Sequence, residues 1–504
     1  MPLRLASSLV GGLLLAAAFE PVGLAVGMPV AFAVLLLAVR GLSARRAWLP
    51  GLCFGVAFCF TLLVWMRAVG LDAWLALSTA QALFFAPLGM ALARLQRLPG
   101  WPAWTALAWV AVEGVRATWP MSGLPWGRLA FATAGTVWER ALPWVGMTGV
   151  SLLVALAGSV LAWCVVGGVR RPLVAVAAVG ALAGATLAPT LASYAVATEG
   201  TATVAVVQGD VPGTGTDLVA VHREVTANHV AATEDLAADV AAGEVPRPDF
   251  VLWPENSTAV DPFLDAEVAA GVRAAADAVG VPILLGAMVD SPDPTAVLNQ
   301  GIVLRPGLGG GDRYTKRHPV PFGEYIPWRD TVFDSNFGKL AMVSRDMLSG
   351  TGLEPLRIAG LRVADAICFD IAYDDGIVGQ VANGGQLLTV QTSNAMFVET
   401  HQIEQQFEIT RLRAVETGRW VLVASPNGLS GVVAPDGRVV STAEPRTTEV
   451  LVEEVGLSSE LTPAVRMGLW PGRVIVLVAL LALLTTFVPY RRPSPEHPPQ
   501  REST

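Results

Sequence analysis

Charge is what this chain has least of. Only 15% of its 504 residues are charged, against roughly 25% in an average soluble domain. That shortage excludes an ordinary cytosolic enzyme and a disordered chain. Lysine is nearly missing: Lys316 and Lys339 stand against 32 arginines. Cysteine is held to four residues, Cys53, Cys59, Cys164 and Cys368. The first three lie in apolar runs, which leaves Cys368 alone in the acidic middle of the chain and excludes a disulfide within that part. A solitary thiol there is either a small buried hydrophobe or a reactive group. No His/Cys cluster has metal-site spacing. The glycine-rich GLGGGDR (307–313) opens no helix, which argues against a phosphate cradle.

What the chain has in excess is apolar surface: 53% hydrophobic residues and a mean hydropathy of +0.52. It collects in eight stretches, near 5–19, 24–40, 47–68, 73–95, 103–117, 145–167, 173–193 and 472–489. A membrane-spanning helix needs about 20 mostly apolar residues, fewer when tucked against neighbours. A polytopic α-helical membrane part of about eight helices is expected. The first stretch could instead be a cleaved signal peptide, but further stretches follow at once and Glu20-Pro21 makes a poor cleavage site. Charge divides the same way. Residues 201–460 hold 35 Asp+Glu and 17 Lys+Arg, a net of −18, and the remainder holds 7 and 17, a net of +10. The acidic block argues against a nucleic-acid partner.

Eleven of the 17 basic residues outside the block fall on one side of the apolar stretches: Arg4, Arg40, Arg45, Arg46, Arg94, Arg97, Arg170, Arg171, Arg491, Arg492 and Arg501. Positive charge marks the cytoplasmic side. The expected organisation is seven membrane helices in 1–194, an extracytoplasmic catalytic part in 195–470, a last membrane helix in 471–490 and a disordered cytoplasmic tail in 491–504. The expected location is a bacterial plasma (inner) membrane, crossed many times.

The external segment reads as α/β. Apolar strands are expected at 201–210, 248–255, 281–289, 361–370, 385–394 and 419–428, with helices at 217–243, 265–279 and 401–418. Strands alternating with helices predict a mostly parallel sheet covered on both faces. Reactive side chains stand where three apolar segments end: Glu255 after FVLW, Lys316 in RYTKRHPVPFGEYIP, and Cys368 after VADAI. Strand ends are where clefts form in α/β sheets. A carboxylate can take a thiol proton, and an ammonium can stabilise a thiolate and a tetrahedral oxyanion. Acyl transfer through a thioester needs those three roles and no metal. Each residue also has a structural alternative: a packed cysteine, a solvated loop acid, a surface lysine. Spacing alone leaves both open.

WPENS around Glu255, YTKRHPVPFGEYIP around Lys316 and CFDIAYDD around Cys368 resemble the Glu-Lys-Cys signature of the nitrilase superfamily. With the apolar frame, they resemble its membrane branch, the apolipoprotein N-acyltransferases. VVQGDVP (206–212), LNQGIVL (298–304), RLRAVETGR (411–419), PNG (426–428), LTPAVRMGLWPG (461–472), WVAVEGVR (109–116) and GLPWGRLAF (123–131) agree. The resemblance implies a nitrilase-like α-β-β-α sandwich. It implies an acyl chain moved from phospholipid to Cys368, then to the α-amino group of a diacylglyceryl-cysteine lipoprotein. Carried over, Cys368 is the nucleophile, Glu255 the general base and Lys316 the charge stabiliser. Glu324 and Asn299 support the site. No cofactor or metal is implied, and a monomer in the lipid bilayer is expected.

Three departures stand out. Asp370 occupies the place of a family Glu two residues after the cysteine, one methylene shorter. TSNAMFVETH (392–401) lacks the family's Asn-Asp-x-Trp-Phe beside the acyl path. No tryptophan falls between 211 and 245. Two other functions fit the same residues: a membrane-anchored amidase using water, and a non-catalytic lipoprotein-binding scaffold. Beyond the triad, Glu113 and Arg116 are three apart on one helix face and could pair or meet a lipid headgroup. His318 reads as a loop histidine, and 333–343 as an apolar arm or a core segment.

Overall fold

A computed structural model describes residues 1–167, 170–192, 194–218, 221–307, 309–332 and 338–487. The tail 491–504 and residues 333–337 of the expected arm lie outside the described residues.

Each of the eight apolar stretches is helical over most of its described residues. The first seven form α1 (Pro2–Ala16), α2 (Gly27–Val39), α3 (Ala44–Leu62), α4 (Leu71–Leu83) with α5 (Phe85–Leu95), α6 (Trp101–Arg116), α7 (Leu142–Val165) and α8 (Pro172–Leu191). Only Leu71–Leu95, Glu139–Val165 and Pro172–Leu191 are, among the described residues, long and apolar enough to cross a membrane; Pro2–Ala16, Gly27–Val39 and Trp470–Thr485 are apolar but shorter. The expected count of about eight crossings is thus supported for three. Small residues let α3 and α5 touch backbone to backbone. A Cβ on Gly51 would lie 2.2 Å from the Phe85 carbonyl oxygen, and one on Gly89 2.5 Å from that of Ala47.

Arg4 and Arg40 meet at one end of this bundle. Arg4 donates to the carbonyls of Ala38 and Arg40, and Arg40 donates to Gln96 beyond α5. The other end carries the α/β part. Glu113 and Arg116 of α6 turn to different partners instead of pairing. Glu113 Oε1 accepts the Trp109 indole N–H and the Leu129 amide, while Arg116 donates to Gln81.

The α/β part is built from two stacked sheets. Strands β1 (Gly200–Gln208), β2 (Phe250–Leu252), β3 (Ile283–Asp290), β4 (Ala296–Arg305), β5 (Gly309–Thr315) and β6 (Asp346–Met347) belong to the first. Strands β7 (Leu356–Ile358), β8 (Leu361–Ile367), β9 (Leu387–Gln391), β10 (Val421–Ala424), β11 (Gly431–Val433) and β12 (Val439–Thr442) form the second, and β13 (Glu449–Leu457) returns to the first. The orders are β13-β1-β2-β3-β4-β5, with β6 on β4, and β12-β11-β10-β9-β8-β7.

Neither sheet is mostly parallel, as the alternation of elements predicts. Only β1-β2-β3, β8-β9-β10 and the two-residue β6 beside β4 run parallel, and antiparallel strands flank both triplets. Most antiparallel partners are hairpin returns such as glycine-rich β5, whose sequence has little strand character; β13 instead returns from the far end of the α/β part to pair with β1.

Helices α9 (His222–Ala242) and α10 (Ala266–Val279) cover the first sheet, where α10 starts on an Asp265 N-cap. Helices α11 (Asp374–Ala382) and α12 (Gln402–Thr417) cover the second. Short α13 (Pro463–Met467) leads into α14 (Trp470–Thr485), which packs on α6. The order is therefore the expected α-β-β-α sandwich. One hydrophobic core runs unbroken from Phe32, Phe54 and Trp109 of the apolar helices to Ile377, Leu412 and Val390 beneath the second sheet.

Candidate active site

The parallel strands β2, β8 and β9 end at one edge of the sandwich, and the reactive groups follow those ends. Glu255 comes after β2, Cys368 directly after β8, Ser393 after β9, and Lys316 after the antiparallel β5. The six residues read from the sequence divide into two groups. Glu255, Lys316, Glu324, Asn299 and Cys368 converge, and Asp370 stands behind them.

Glu255 is buried, and each carboxylate oxygen is held. Oε1 accepts the Asn299 amide at 2.7 Å and the Lys316 ammonium at 3.0 Å; Oε2 accepts the Ser393 backbone N–H at 2.7 Å. Gly286 makes this possible. A Cβ there would stand 2.3 Å from the Pro254 carbonyl oxygen and 2.6 Å from Glu255 Cα. Lys316, fully buried, also donates to Glu324 at 2.7 Å, and Glu324 accepts the Val320 amide through its other oxygen. An ammonium has three donors, so one N–H of Lys316 stays available for a substrate oxygen.

Cys368 opens a 3-10 turn, Cys368–Ala372, with φ +51°. The left-handed region costs a non-glycine residue on the order of 1–3 kcal/mol, and such outliers cluster where a side chain must be presented. The sulfur is half-buried and lies within electrostatic reach of Glu255, Lys316 and Glu324.

These charges set the resting protonation. Burial, followed by the charge of Glu255, pushes the Cys368 thiol up to about 12, against the pull of Lys316 and Thr392. The resting sulfur is therefore a thiol. Desolvation and two carboxylates outweigh one ammonium. Burial alone would lower Lys316. Glu255 and Glu324, with Cys368, outweigh it and hold the ammonium well above its ordinary value. Burial also raises Glu324, partly offset by Lys316.

Asp370 does its work on the backbone. Its Oδ2 accepts the Tyr314 hydroxyl at 2.8 Å and the Arg317 amide at 3.1 Å, and its Oδ1 accepts the His318 amide at 2.9 Å. It thereby clasps the two residues after Lys316. The shorter side chain reaches them because the 3-10 turn brings it under that loop. His318 stacks on Tyr373 at 3.6 Å between centroids and bonds Asp375 at 2.9 Å, as a loop-fixing side chain would.

The site is also tied to the apolar helices. Phe369 stacks on Trp126 at 5.8 Å, Trp126 packs on Trp65, and Trp65 meets Phe397 edge-on. Trp126 donates to Gln405 of α12. Sequence reading did not name Ser393, Thr392, Trp126 or Phe397. The first two stand at the end of an apolar strand, the rule that found Glu255 and Cys368, and it was there to be applied.

Residues 11–160 match the model of the apolipoprotein N-acyltransferase N-terminal domain, and residues 203–460 match that of carbon-nitrogen hydrolase. An apolipoprotein N-acyltransferase of Mycolicibacterium smegmatis is 35% identical over 90% of this chain and 80% of its own length. The chain belongs to the apolipoprotein N-acyltransferase family. Two further apolipoprotein N-acyltransferases are similar throughout: that of Gloeobacter violaceus, 31% identical over 94% of this chain and 92% of its own, and that of Chromobacterium violaceum, 28% identical over 97% and 94%. An N-acyltransferase N-terminal part and a carbon-nitrogen hydrolase part share this chain, and the protein is an acyltransferase associated with membrane through its apolar helices.

Proposed function

We propose that the protein moves an acyl chain from a membrane phospholipid, through a thioester on Cys368, to the α-amino group of the S-diacylglyceryl-cysteine that begins a lipoprotein. The observation that carries this reading is the stacking of Phe369, next to the nucleophile, on Trp126 of the apolar part. It joins the turn that the nucleophile opens to the core of the apolar helices. A long acyl chain can lie along such an apolar junction; a small soluble amide has no use for it.

In the first half, Cys368 Sγ attacks the ester carbonyl while Glu255 takes the thiol proton. The remaining N–H of Lys316 meets the oxyanion. The carbon–oxygen bond breaks, Glu255 returns the proton to the departing lysophospholipid alkoxide, and the thioester is left. In the second half the neutral α-amine attacks the thioester, Glu255 takes its proton, and the amide forms as that proton returns to sulfur. An α-amino group with pKa about 7.7–8.0 supplies the neutral form readily. Glu324 keeps Lys316 charged and aimed, Asn299 and the Ser393 amide hold Glu255, and Asp370 fixes the loop behind Lys316.

The same geometry supports an orientation. The end of the bundle where Arg4 and Arg40 meet lies at the opposite end of α1 from Glu20, whose carbonyl accepts Gln405 of α12. This supports a cytoplasmic basic end, an extracytoplasmic catalytic part at 195–470, and a frame of 1–194 and 471–490 in the plasma membrane. One chain supplies every group of the site, which supports a monomer. The test is mass spectrometry of the purified protein given phospholipid. Cys368 gains one hydroxylamine-labile acyl group, and Glu255→Gln abolishes it. Release of free acid or ammonia without acylation of lipoprotein would instead indicate an amidase.

A further inference from the structure

The strand that presents Cys368 carries a second acid which that chemistry leaves unused. Asp365 of β8 is three residues before the cysteine and fully buried against the first sheet. Its Oδ1 accepts the Thr389 hydroxyl at 2.7 Å. Its Oδ2 has no partner among the described residues, and neither has Oε1 of Gln391, equally buried. Both oxygens crowd one spot. A Cβ placed on Gly301 of β4 would lie 2.3 Å from Asp365 Oδ2 and 2.5 Å from Gln391 Oε1. The Gln391 amide cannot turn round to relieve this. Its Nε2 donates to the Trp253 carbonyl at 2.7 Å and faces that of Leu284 at 3.5 Å. Two acceptors therefore converge at the sheet–sheet interface. An unmet buried acceptor costs about 1–3 kcal/mol, and an isolated buried carboxylate far more. A proton on Oδ2, donated towards Gln391, would give both oxygens a partner.

We propose that Asp365 is held as a neutral carboxylic acid that donates its proton to Gln391 and serves as a positioning residue for the acyl-transfer site. The link runs from the cysteine's strand β8, through Gln391 of β9, to the Trp253 carbonyl two residues before Glu255. Two residues beyond Gln391, the Ser393 amide holds the other side of Glu255. A negative charge on Asp365 would set acceptor against acceptor and loosen the spacing between sulfur and base.

Burial pushes the Asp365 carboxyl up to about 8, with the Thr389 hydroxyl opposing and the charge of Asp370 adding. Around it, β9 presents uncharged Thr389 and Gln391, β4 presents Gly301, and α11 bonds the Asp365 backbone through Gln380. The titratable neighbours are Asp370 of the 3-10 turn and Tyr314 of β5. The unfolded carboxyl titrates near 3.9. Between that value and about 8 the folded chain binds the extra proton, so stability falls as pH rises through this window and levels off above it.

Asp365→Asn supplies an N–H to Gln391 and an oxygen to Thr389 at every pH, so it separates the proton from the shape. This inference concerns the site of the reading above but is tested without it. Thermal unfolding in detergent across the window should show a downward slope for wild type that D365N lacks. Infrared spectra near pH 6 should show a protonated-carboxyl band in wild type that D365N removes. In phospholipid acylation of Cys368, D365N should match wild type near neutrality. The ratio of its rate to wild type should then rise about tenfold per pH unit above about 8. Equal slopes, a missing carboxyl band, or an acylation ratio flat with pH would overturn the proposal. If D365N fails to fold, the wild-type band decides. If neither protein acylates Cys368 while band and slope stand, the acyl-transfer reading fails and the neutral Asp365 survives.

Discussion

Arg128, in the segment between α6 and α7, grips Asp374, the first residue of α11, with both carboxylate oxygens 2.8–2.9 Å away. Arg413 of α12 holds the same carboxylate at 2.9 Å, Glu416 at 2.6 Å, and the carbonyls of Ile371 and Ala372 at the end of the cysteine's turn. Glu416 in turn accepts the Met147 amide at the Gly146 kink of α7. The turn that presents the nucleophile is thus braced on the apolar helices by alternating charges.

Removing one charge from this chain exposes the others. Arg413→Met strands Glu416 and weakens Asp374, and a broken buried pair typically costs about 3–5 kcal/mol. Arg128→Met leaves Asp374 its bond to Arg413 and should cost less, about 1–3 kcal/mol. Thermal unfolding in detergent ranks the two; equal losses would show that the braces are independent.

The thiol makes a prediction of opposite signs. Glu255 raises the Cys368 thiol, so Glu255→Gln lowers it and increases the resting thiolate, tenfold for each unit of change. Alkylation of Cys368 by iodoacetamide should speed up in the variant in which phospholipid acylation is lost. For wild type, alkylation should climb with pH well beyond neutrality, because the thiol titrates near 12. A plateau at neutral pH would mean the sulfur is already ionised.

Asp370→Asn keeps the size and replaces one acceptor oxygen with a donor facing the Arg317 or His318 amide. An unmet buried donor costs about 1–3 kcal/mol, and displacement of the Lys316 loop should lower the acylation rate 10- to 100-fold, roughly the loss expected from a misplaced supporting group. Steady-state acylation against lipid concentration tests this: the turnover rate should fall while half-saturation holds.

Gly286→Ala presses on the backbone of Pro254 and Glu255. The new methyl meets backbone atoms that cannot yield, so the base shifts, and a misplacement of about 1 Å can cost about 100-fold. Hydroxylamine-labile acyl label on Cys368 measures the loss, with circular dichroism checking that the fold persists.

The triad was legible because strand ends in an α/β chain collect polar residues, and a chain with two lysines makes each one conspicuous. Asn299, Glu324 and Asp370 were legible only through family resemblance. The Ser393 amide that holds Glu255, and the Arg317 and His318 amides that Asp370 accepts, act through backbone and carry no side-chain signature. Arg128 and Asp374 are 246 residues apart, a pairing no local pattern encodes. The sheets were misjudged as mostly parallel because β5 is glycine-rich, β7 and β11 are three residues long, and the β13–β1 pairing joins segments far apart in sequence. The helix expected from 217 begins at His222. Glu113 and Arg116, on one face by spacing, found Trp109 and Gln81 because bulk burial offered each a nearer bond.

The unbroken core beneath the second sheet bears on how the protein can be handled. Cutting the chain near 195 and 470 would yield a fragment with the sequence of a soluble nitrilase and a floor stripped bare, where Phe369, Ile377, Leu412 and Val465 had rested on the helices. Such a fragment would clump in water, so the sandwich and its lipid-side helices must be purified, stabilised and engineered as one body.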